Sequence, residues 1–341
     1  MSGQRVIAGR RARLCTHRRA VLILAGLATA VFALSLMVGG TFYGPLEVIR
    51  VILGDSVAGA SFTVGELRLP RAVMGLLTGC AFGIAGVTFQ TLLRNPLASP
   101  DIIGISTGAS AAAVFGIVIL GLGGMAVSLL ALGGAVATAV AVYMLSIKDG
   151  FTGTRLILIG IGVAAMMNSV VTWVLSQAPA WSLATAMQWL TGSLNGATWE
   201  SVVPLALAFA ILVPVLALQG RSLDLLRLGD DSAAGLGVRV DRTRILVIVC
   251  AVALLAFATA AAGPIAFVAF MSGPIAARLV GPAGGLRLPA GLVGAILVMV
   301  SDLVAQYLLG TRFPVGVVTG VLGAPYLVYL LIRTNRSGGS L

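Results

Sequence analysis

The chain has few of the residues from which catalytic and metal centres are built. It contains one histidine, His17, and only three cysteines and eleven carboxylates among 341 residues. A metal site or a catalytic triad therefore lacks the ligands and partners that it needs. Cys15, Cys80 and Cys250 show no metal-binding or disulfide spacing, and we interpret them as small apolar side chains. The sequence indicates that this chain is not an enzyme.

The chain also lacks the phosphate-binding pattern Gly-x-x-x-x-Gly-Lys-Ser/Thr. If this protein takes part in ATP-driven transport, ATP and Mg²⁺ must bind a separate ATPase chain, and we expect no cofactor in this one. A net charge of +11 could suggest nucleic-acid binding. No aromatic and basic surface, zinc-ligand spacing or soluble domain accompanies that charge, so we exclude nucleic acid as a partner.

Apolar residues dominate what remains. They make up 59% of the chain, charged residues only 10%, and the mean hydropathy is +1.07, which is typical of an integral membrane protein surrounded by lipid. Since about 20 apolar residues cross the hydrocarbon core, the chain holds about ten transmembrane helices. The predicted spans are 20–41, 69–92, 103–120, 126–147, 155–176, 199–218, 244–262, 264–280, 286–309 and 315–333. Residues 244–280 could instead form one helix bent at Gly263 and Pro264.

The distribution of basic residues predicts the orientation, because cytoplasmic loops are enriched in Lys and Arg. With ten spans, every Lys and Arg except Arg50, Arg68, Arg71 and Arg312 falls on the side of the N-terminus. We therefore predict a multi-pass protein of the cell (cytoplasmic) membrane, with cytoplasmic tails at 1–19 and 334–341 around a permease domain at 20–333. We expect the apolar run 20–38 to remain as an uncleaved first helix, because it is longer than a typical signal-peptide core.

One long cytoplasmic connection, at about 219–244, has the pattern of two short helices. Ser222 is suited to cap the first helix and Gly229 to end it, and Asp230 or Asp231 is suited to cap the second. Glycines near its end would let another surface approach closely. The connection is either an amphipathic hairpin on the membrane surface or a docking element for a cytoplasmic partner.

Several polar residues occur within or beside the predicted spans. Gln90 and Asn168 could line a translocation path or cross-link helices. Pro96 and Pro100 end the second span, and Asn95 can satisfy the backbone groups that they free. Asp302 is the only carboxylate deep in a predicted span, where a charge requires a partner or water. We favour a structural role for it, bound to a serine, an arginine or a backbone amide.

Four blocks of residues form a specific arrangement through their order and spacing. They lie at 67–71, at Gln90 with 94–98 and 104–109, at 228–237, and at 263–268 with 314–319. This arrangement resembles that of FecCD-type permeases of ABC importers for iron-siderophores, haem and vitamin B12. The resemblance implies an all-α, polytopic membrane protein with the vitamin B12-type ABC importer permease fold. It also implies two ATPase subunits below the membrane and a periplasmic or lipid-anchored substrate-binding protein above it.

The resemblance also implies roles for individual residues. For coupling to the ATPase it implies a contact surface in the connection 222–238, and for docking of the binding protein it implies arginines on the outer side. For the translocation path or its inner gate, it implies polar residues at the ends and middle of spans. The coupling residues are Leu228, Gly229, Asp230, Asp231, Ala234, Gly235 and Gly237; the docking residues are Arg68, Arg71 and Arg312; the path or gate residues are Gln90, Asn95, Pro96, Thr152, Thr154 and Asn168.

Departures from the usual family pattern bear on the assembly. Gly273 and Pro274 stand where many members have Pro-His, Gln306 replaces a frequent Arg, and Arg312 replaces a frequent Glu. These features resemble the second subunit of heteromeric ferric-siderophore permeases. We therefore expect a heterodimer with a paralogous permease, with a second copy of this chain as the alternative.

The substrate and the energy source leave alternatives open. We expect a ferric siderophore, while haem or vitamin B12 would suit the same family. From a different class, a secondary transporter driven by an ion gradient would need paired intramembrane acids or a sodium site, and Asp302 has no acidic neighbour in the predicted spans. A purely structural membrane scaffold would not need a structured cytoplasmic connection.

Overall fold

The computed structural model describes residues 3–146, 153–281 and 284–336, and these segments form helices and turns with no strand among them. This confirms the all-α prediction. A π-helical turn at Thr63–Arg68 joins α3 to α4 in one continuous helix, and a 3-10 turn at Pro100–Ile103 precedes α5. The helices are α1 Gly3–Met37, α2 Pro45–Ile52, α3 Ala60–Phe62, α4 Leu69–Leu92, α5 Ile105–Val118, α6 Gly124–Ser146, α7 Gly153–Ser176, α8 Ala180–Thr191, α9 Trp199–Leu218, α10 Gly220–Leu226, α11 Asp230–Gly235, α12 Val240–Ala262, α13 Val268–Val280, α14 Arg287–Tyr307 and α15 Val315–Arg336.

The number of spans agrees with the prediction. Within the described residues, 8 helices are long and apolar enough to cross a membrane, and the shorter apolar helices α5 and α13 bring the total to the ten expected. Residues 263–267 separate α12 from α13, so this region is two helices and not one bent helix. The first helix begins at Gly3, well before the predicted span, because the basic segment continues the same helix.

Helix α4 lies at the centre of the bundle, and α12, α13 and α14 pack around it. Of its most apolar window, 78% is buried, compared with 17% for α7 and 22% for α9. Glycines make this close packing possible: a Cβ atom at Gly79 would overlap the backbone of Gly294, and one at Gly83 would overlap the carbonyl group of Ala290. Small residues allow helix backbones to approach where lipid supplies no hydrophobic driving force.

On the other side of α4, a Cβ atom at Gly86 would overlap the carbonyl group of Ala269 in α13. The buried glycines of α4 therefore face two neighbouring helices at once. We call these contacts of Gly79, Gly83 and Gly86 the glycine seam.

We predict that Gly83→Leu destabilises the bundle by about 1–3 kcal/mol or more, because the added side chain has no space beside α14. The matched control is Gly133→Leu in α6, where a Cβ atom meets nothing within 4 Å. The measurement is the thermal unfolding midpoint of each variant purified in detergent. Equal shifts in the two variants would contradict a central role for the seam.

Candidate functional site

The predicted two-helix connection is present as α10 and α11. We call these two helices and the turn between them the α10–α11 element. Leu223 and Leu226 of α10 and Ala233 of α11 are buried and anchor the element to the bundle. The predicted caps were wrong. Helix α10 begins at Gly220, so Ser222 lies inside it, and the residue that caps α11 is Gly229, whose φ of 113° suits glycine.

The opposite surface of the α10–α11 element is exposed. Leu228 and Leu236 are 64% and 61% accessible, and Asp231 and Ala234 are also exposed. Exposed leucines outside the spans, beside polar residues, are a feature of protein interaction sites. This surface includes five of the seven residues predicted for coupling: Leu228, Asp231, Ala234, Gly235 and Gly237.

Two glycines of this surface differ in what the chain itself requires of them. Gly237 has a φ of 88°, a conformation that favours glycine, whereas Gly235 ends α11 in an ordinary conformation. A Cβ atom at either position would meet nothing within 4 Å. The fold of this chain therefore explains Gly237 but leaves Gly235 unexplained, unless another molecule approaches it closely.

Asp230 makes its contacts within the chain. One carboxylate oxygen accepts a hydrogen bond of 2.7 Å from Arg94, and the other accepts one of 2.7 Å from Arg244. The hydrogen bond from Arg244, together with the positive charges of Arg244 and Arg94, holds the pKa of the Asp230 carboxyl below its ordinary value. The carboxylate is therefore ionised at neutral pH and does not act as the predicted helix cap.

The predicted break after α4 has the expected features. Asn95 accepts a hydrogen bond of 2.9 Å from the backbone N–H of Leu97, and Asn95 and Pro96 are exposed at the end of the bundle that carries α10 and α11. Gln90 is buried and donates a hydrogen bond of 3.0 Å to the carbonyl of Phe270 in α13. It thus cross-links two helices, and Gly273 leaves the space that its side chain occupies.

At the opposite end of the bundle, Asp302 of α14 forms a bidentate ion pair with Arg71 of α4. The two contacts measure 2.8 and 2.7 Å, and the side chains are only 9% and 20% exposed. Asn195 accepts a further hydrogen bond from Arg71, and Gln306 donates one to Asp302. The partner of Asp302 is therefore an arginine, one of the three partners that the structural interpretation offered, and this intramembrane charge is paired.

The other predicted docking arginines have different environments. Arg68 donates hydrogen bonds of 3.0 Å to the carbonyls of Leu36 and Met37, and its guanidinium lies 5.0 Å from the ring centroid of Tyr43. It therefore satisfies the free carbonyl groups at the end of α1. Arg312, in the turn between α14 and α15, is exposed.

One face of α7 is exposed and partly polar. Asn168 and Thr154 lie on it, together with Ser169 and Thr172, whose hydroxyls donate to carbonyls one turn earlier in the helix. Asn168 is therefore not buried between helices of this chain. Thr152, the other predicted gate residue, lies outside the described residues.

Sequence reasoning missed the two neutral partners of the Arg71–Asp302 pair and the role of Arg244. Asn195 gives no local signal, since it is an isolated amide far from Arg71 in sequence. Gln306 lies four residues after Asp302 in α14, and this spacing could have suggested their hydrogen bond. The sequence prediction uses Arg244 only as evidence of topology. Its position one turn into a helix that follows Asp230 could have suggested the ion pair.

Known proteins resemble this chain in sequence and in structure. The sequence profile of the FecCD transport family matches residues 27–333. The ferric enterobactin transport system permease protein FepG of Escherichia coli (strain K12) is 43% identical over 291 residues, covering 85% of this chain and 88% of that protein. The achromobactin transport system permease protein CbrC of Dickeya dadantii (strain 3937) is 41% identical over 331 residues, covering 96% and 95%. A solved structure of a metal-chelate type ABC transporter in an inward-facing conformation matches with a TM-score of 0.83 and 26% identity, covering 93% of this chain and 99% of that one.

We predict that Asp302→Ala lowers the free energy of unfolding by about 3 kcal/mol, because it leaves the largely buried Arg71 guanidinium without its carboxylate. The double variant Arg71→Met with Asp302→Met should lose less than either single variant, since it leaves no unpaired charge. The measurement is denaturant unfolding in detergent micelles, with Gln306→Ala, which removes one hydrogen bond, as the control expected to lose about 1 kcal/mol. A double variant as unstable as the sum of its single variants would show that the pair is not coupled.

Proposed function

The chain belongs to the FecCD transport family, whose members are transmembrane permease subunits of ABC transporters, and from this membership we propose that it imports a ferric siderophore. It is a multi-pass membrane protein. The energy would come from ATP hydrolysis by a separate ATPase subunit, which holds the ATP and Mg²⁺. The substrate assignment is supported by FepG and CbrC, which are permeases for ferric enterobactin and achromobactin. Haem and vitamin B12 are the alternatives within the family.

The observation that carries this proposal is the exposed surface of the α10–α11 element. Leu228, in the turn between α10 and α11, and Leu236, directly after Gly235, are exposed on an element whose buried residues anchor it to the bundle. A partner ATPase would cover the leucines and use the missing side chain at Gly235 for close approach. The excess of Lys and Arg at this end of the bundle supports its placement in the cytoplasm, with both termini on the same side.

The exposed face of α7 supports a second permease subunit. Lipid offers no hydrogen-bond partner for the carboxamide of Asn168, so a membrane-depth face that includes it requires water or protein. Two permeases that place this face between them would enclose a polar translocation path, with Thr154 near its cytoplasmic end. We propose a paralogous subunit as the partner, with a second copy of this chain as the alternative.

On the outer side, a substrate-binding protein would dock over the loops that hold the three predicted arginines. Arg68 and Arg71 are occupied by contacts within the chain, so Arg312 is the arginine of the three that is most available to an acidic partner. Contacts between exposed charges serve orientation and encounter rate more than affinity.

The geometry also weighs against the gradient-driven alternative. A secondary transporter needs paired intramembrane acids, which can exchange a proton, or a sodium site near the middle of the membrane. Asp302 is already neutralised by the bidentate contact with Arg71.

We predict that tagged wild-type protein co-purifies with an ATPase and a second permease from detergent-solubilised membranes, whereas Gly235→Trp loses at least 90% of the ATPase. A Cβ atom at Gly235 meets nothing within 4 Å, so we expect the chain to fold and the indole to block an approaching partner. The control is Asp241→Trp, which places the same ring on a side chain that is 90% exposed at the base of α12. The bound proteins are identified by mass spectrometry.

Absence of an ATPase from the wild-type preparation would overturn the ABC assignment and favour a gradient-driven transporter. Retention of the ATPase by Gly235→Trp would place the contact elsewhere. Uptake of radiolabelled iron as ferric siderophore, compared with haem and cobalamin in the same cells, tests the substrate separately.

A further inference from the structure

Arg94 lies just beyond the last turn of α4 in a conformation that its side chain disfavours. Its φ is 50°, and among the described residues only Phe267 is another non-glycine residue with positive φ. Such a conformation persists where surrounding contacts over-determine it. Arginine has no local reason to occupy this position, where glycine or asparagine would be less strained.

The contacts that hold Arg94 reach the α10–α11 element. Its Nε donates a hydrogen bond of 3.0 Å to the carbonyl of Leu226 at the end of α10, and its Nη2 donates one of 2.7 Å to Asp230 at the start of α11. A single guanidinium therefore contacts both helices of the element. The left-handed backbone conformation of Arg94 turns the chain at the end of α4. The guanidinium makes its two contacts at this turn.

Asp230 extends this connection to a second long helix. Its other carboxylate oxygen accepts a hydrogen bond of 2.7 Å from Arg244 in the first turns of α12, a side chain that is only 12% exposed. One carboxylate thus joins the end of α4 to the beginning of α12. The two helices also pack against each other in the bundle.

The chain path makes this connection important for α4 in particular. The α10–α11 element continues directly into α9 at one end and α12 at the other, but no short segment of chain connects it to α4. Arg94 supplies a polar contact in addition to the buried leucines of α10. Because α4 is packed along its length against α12, α13 and α14, a displacement at its end would be passed to the core of the bundle.

We propose that Asp230, Arg94 and Arg244 form a positioning cluster that transmits movement of the α10–α11 element to α4 and α12. The inference rests on the proposed function as an ATP-driven permease and deepens it. It reassigns Asp230 from a contact with the ATPase to a contact inside the permease, and leaves the outer surface around Leu228, Gly235 and Leu236 for the ATPase.

Ion pairs as exposed as Arg94 with Asp230, at 46% and 47%, add little to folding stability. Losing the contact with Arg94 should therefore leave the chain folded and the exposed coupling surface intact, and Asp230→Asn keeps an amide oxygen that can still accept a hydrogen bond from the more buried Arg244. What should change is the efficiency with which ATP hydrolysis drives transport. This separates a transmitting cluster from a general stabilising contact.

The test uses the complete transporter, with its ATPase and binding protein, reconstituted in lipid vesicles. For each variant we would measure three quantities: ATPase recovered with the permease, ATP hydrolysed and substrate taken up. Asp230→Asn and Arg94→Ala should keep ATPase recovery within twofold of wild type and lower the substrate taken up per ATP at least fivefold. Asp241→Asn removes a 90% exposed carboxylate whose contact with Arg244 is long, at 3.9 Å, and it should stay within twofold on all three quantities.

A matched pair of variants separates the side chain of Arg94 from its backbone. Arg94→Gly relieves the strain of the left-handed conformation and Arg94→Ala does not, while both remove the guanidinium. Equal uncoupling in the two supports the proposal, and normal coupling in Arg94→Gly would overturn it by showing that the backbone conformation alone matters. Combining Arg94→Ala with Asp230→Asn should add less than a twofold further loss, because both variants break the same contact.

Two results distinguish failure of this inference from failure of the proposed function. A wild-type complex that transports normally while Asp230→Asn keeps its coupling ratio would overturn the positioning cluster alone. A loss of transport that only parallels loss of ATPase recovery would show that Asp230 is a docking residue, and would also overturn it. A wild-type chain that recruits no ATPase would instead overturn the proposed function.

Discussion

The close approach of α4 to its neighbours is the constraint on which the rest of the structure depends. The glycine seam brings helix backbones into direct contact, so α4 cannot shift against α13 or α14 without loss of packing. Ion pairs lie at both ends of this helix. Arg71 joins one end to α14, and Arg94 joins the other to the α10–α11 element. A tightly held central helix is thus connected to both faces of the bundle.

Several charged groups in the described part of the chain fix the ends of helices. A charge at membrane depth is costly unless it is paired, and the Arg71–Asp302 pair meets that requirement with two short hydrogen bonds and two neutral amides. Arg68 satisfies the carbonyls at the end of α1. These contacts neutralise the charges locally, which agrees with a transporter whose energy is supplied by another subunit.

The α10–α11 element shows which structural features a local sequence pattern can predict. The pattern of leucines, glycines and aspartates predicted two short helices, and both exist, because helix starts and stops depend on neighbouring residues. The prediction that Asp230 caps the second helix failed. Its carboxylate could accept hydrogen bonds from nearby backbone N–H groups, but it accepts them from the guanidinium groups of Arg94 and Arg244. Arg94 reaches it from a distant part of the chain. Local pattern places Arg244 near Asp230 but contains no information about the approach of Arg94.

The sequence by itself determined the membrane class and the ten apolar helices, because the thickness of the hydrocarbon core and the need for internal backbone hydrogen bonds act on each segment separately. It also determined the family, through the order and spacing of its motifs. Only the tertiary structure decided which polar groups meet. It paired Asp302 with Arg71, placed Gln90 against the carbonyl of Phe270, and left Asn168 on an exposed face. The physical reason is that these partners are set by how the helices pack and rotate against one another, and that depends on contacts among distant segments.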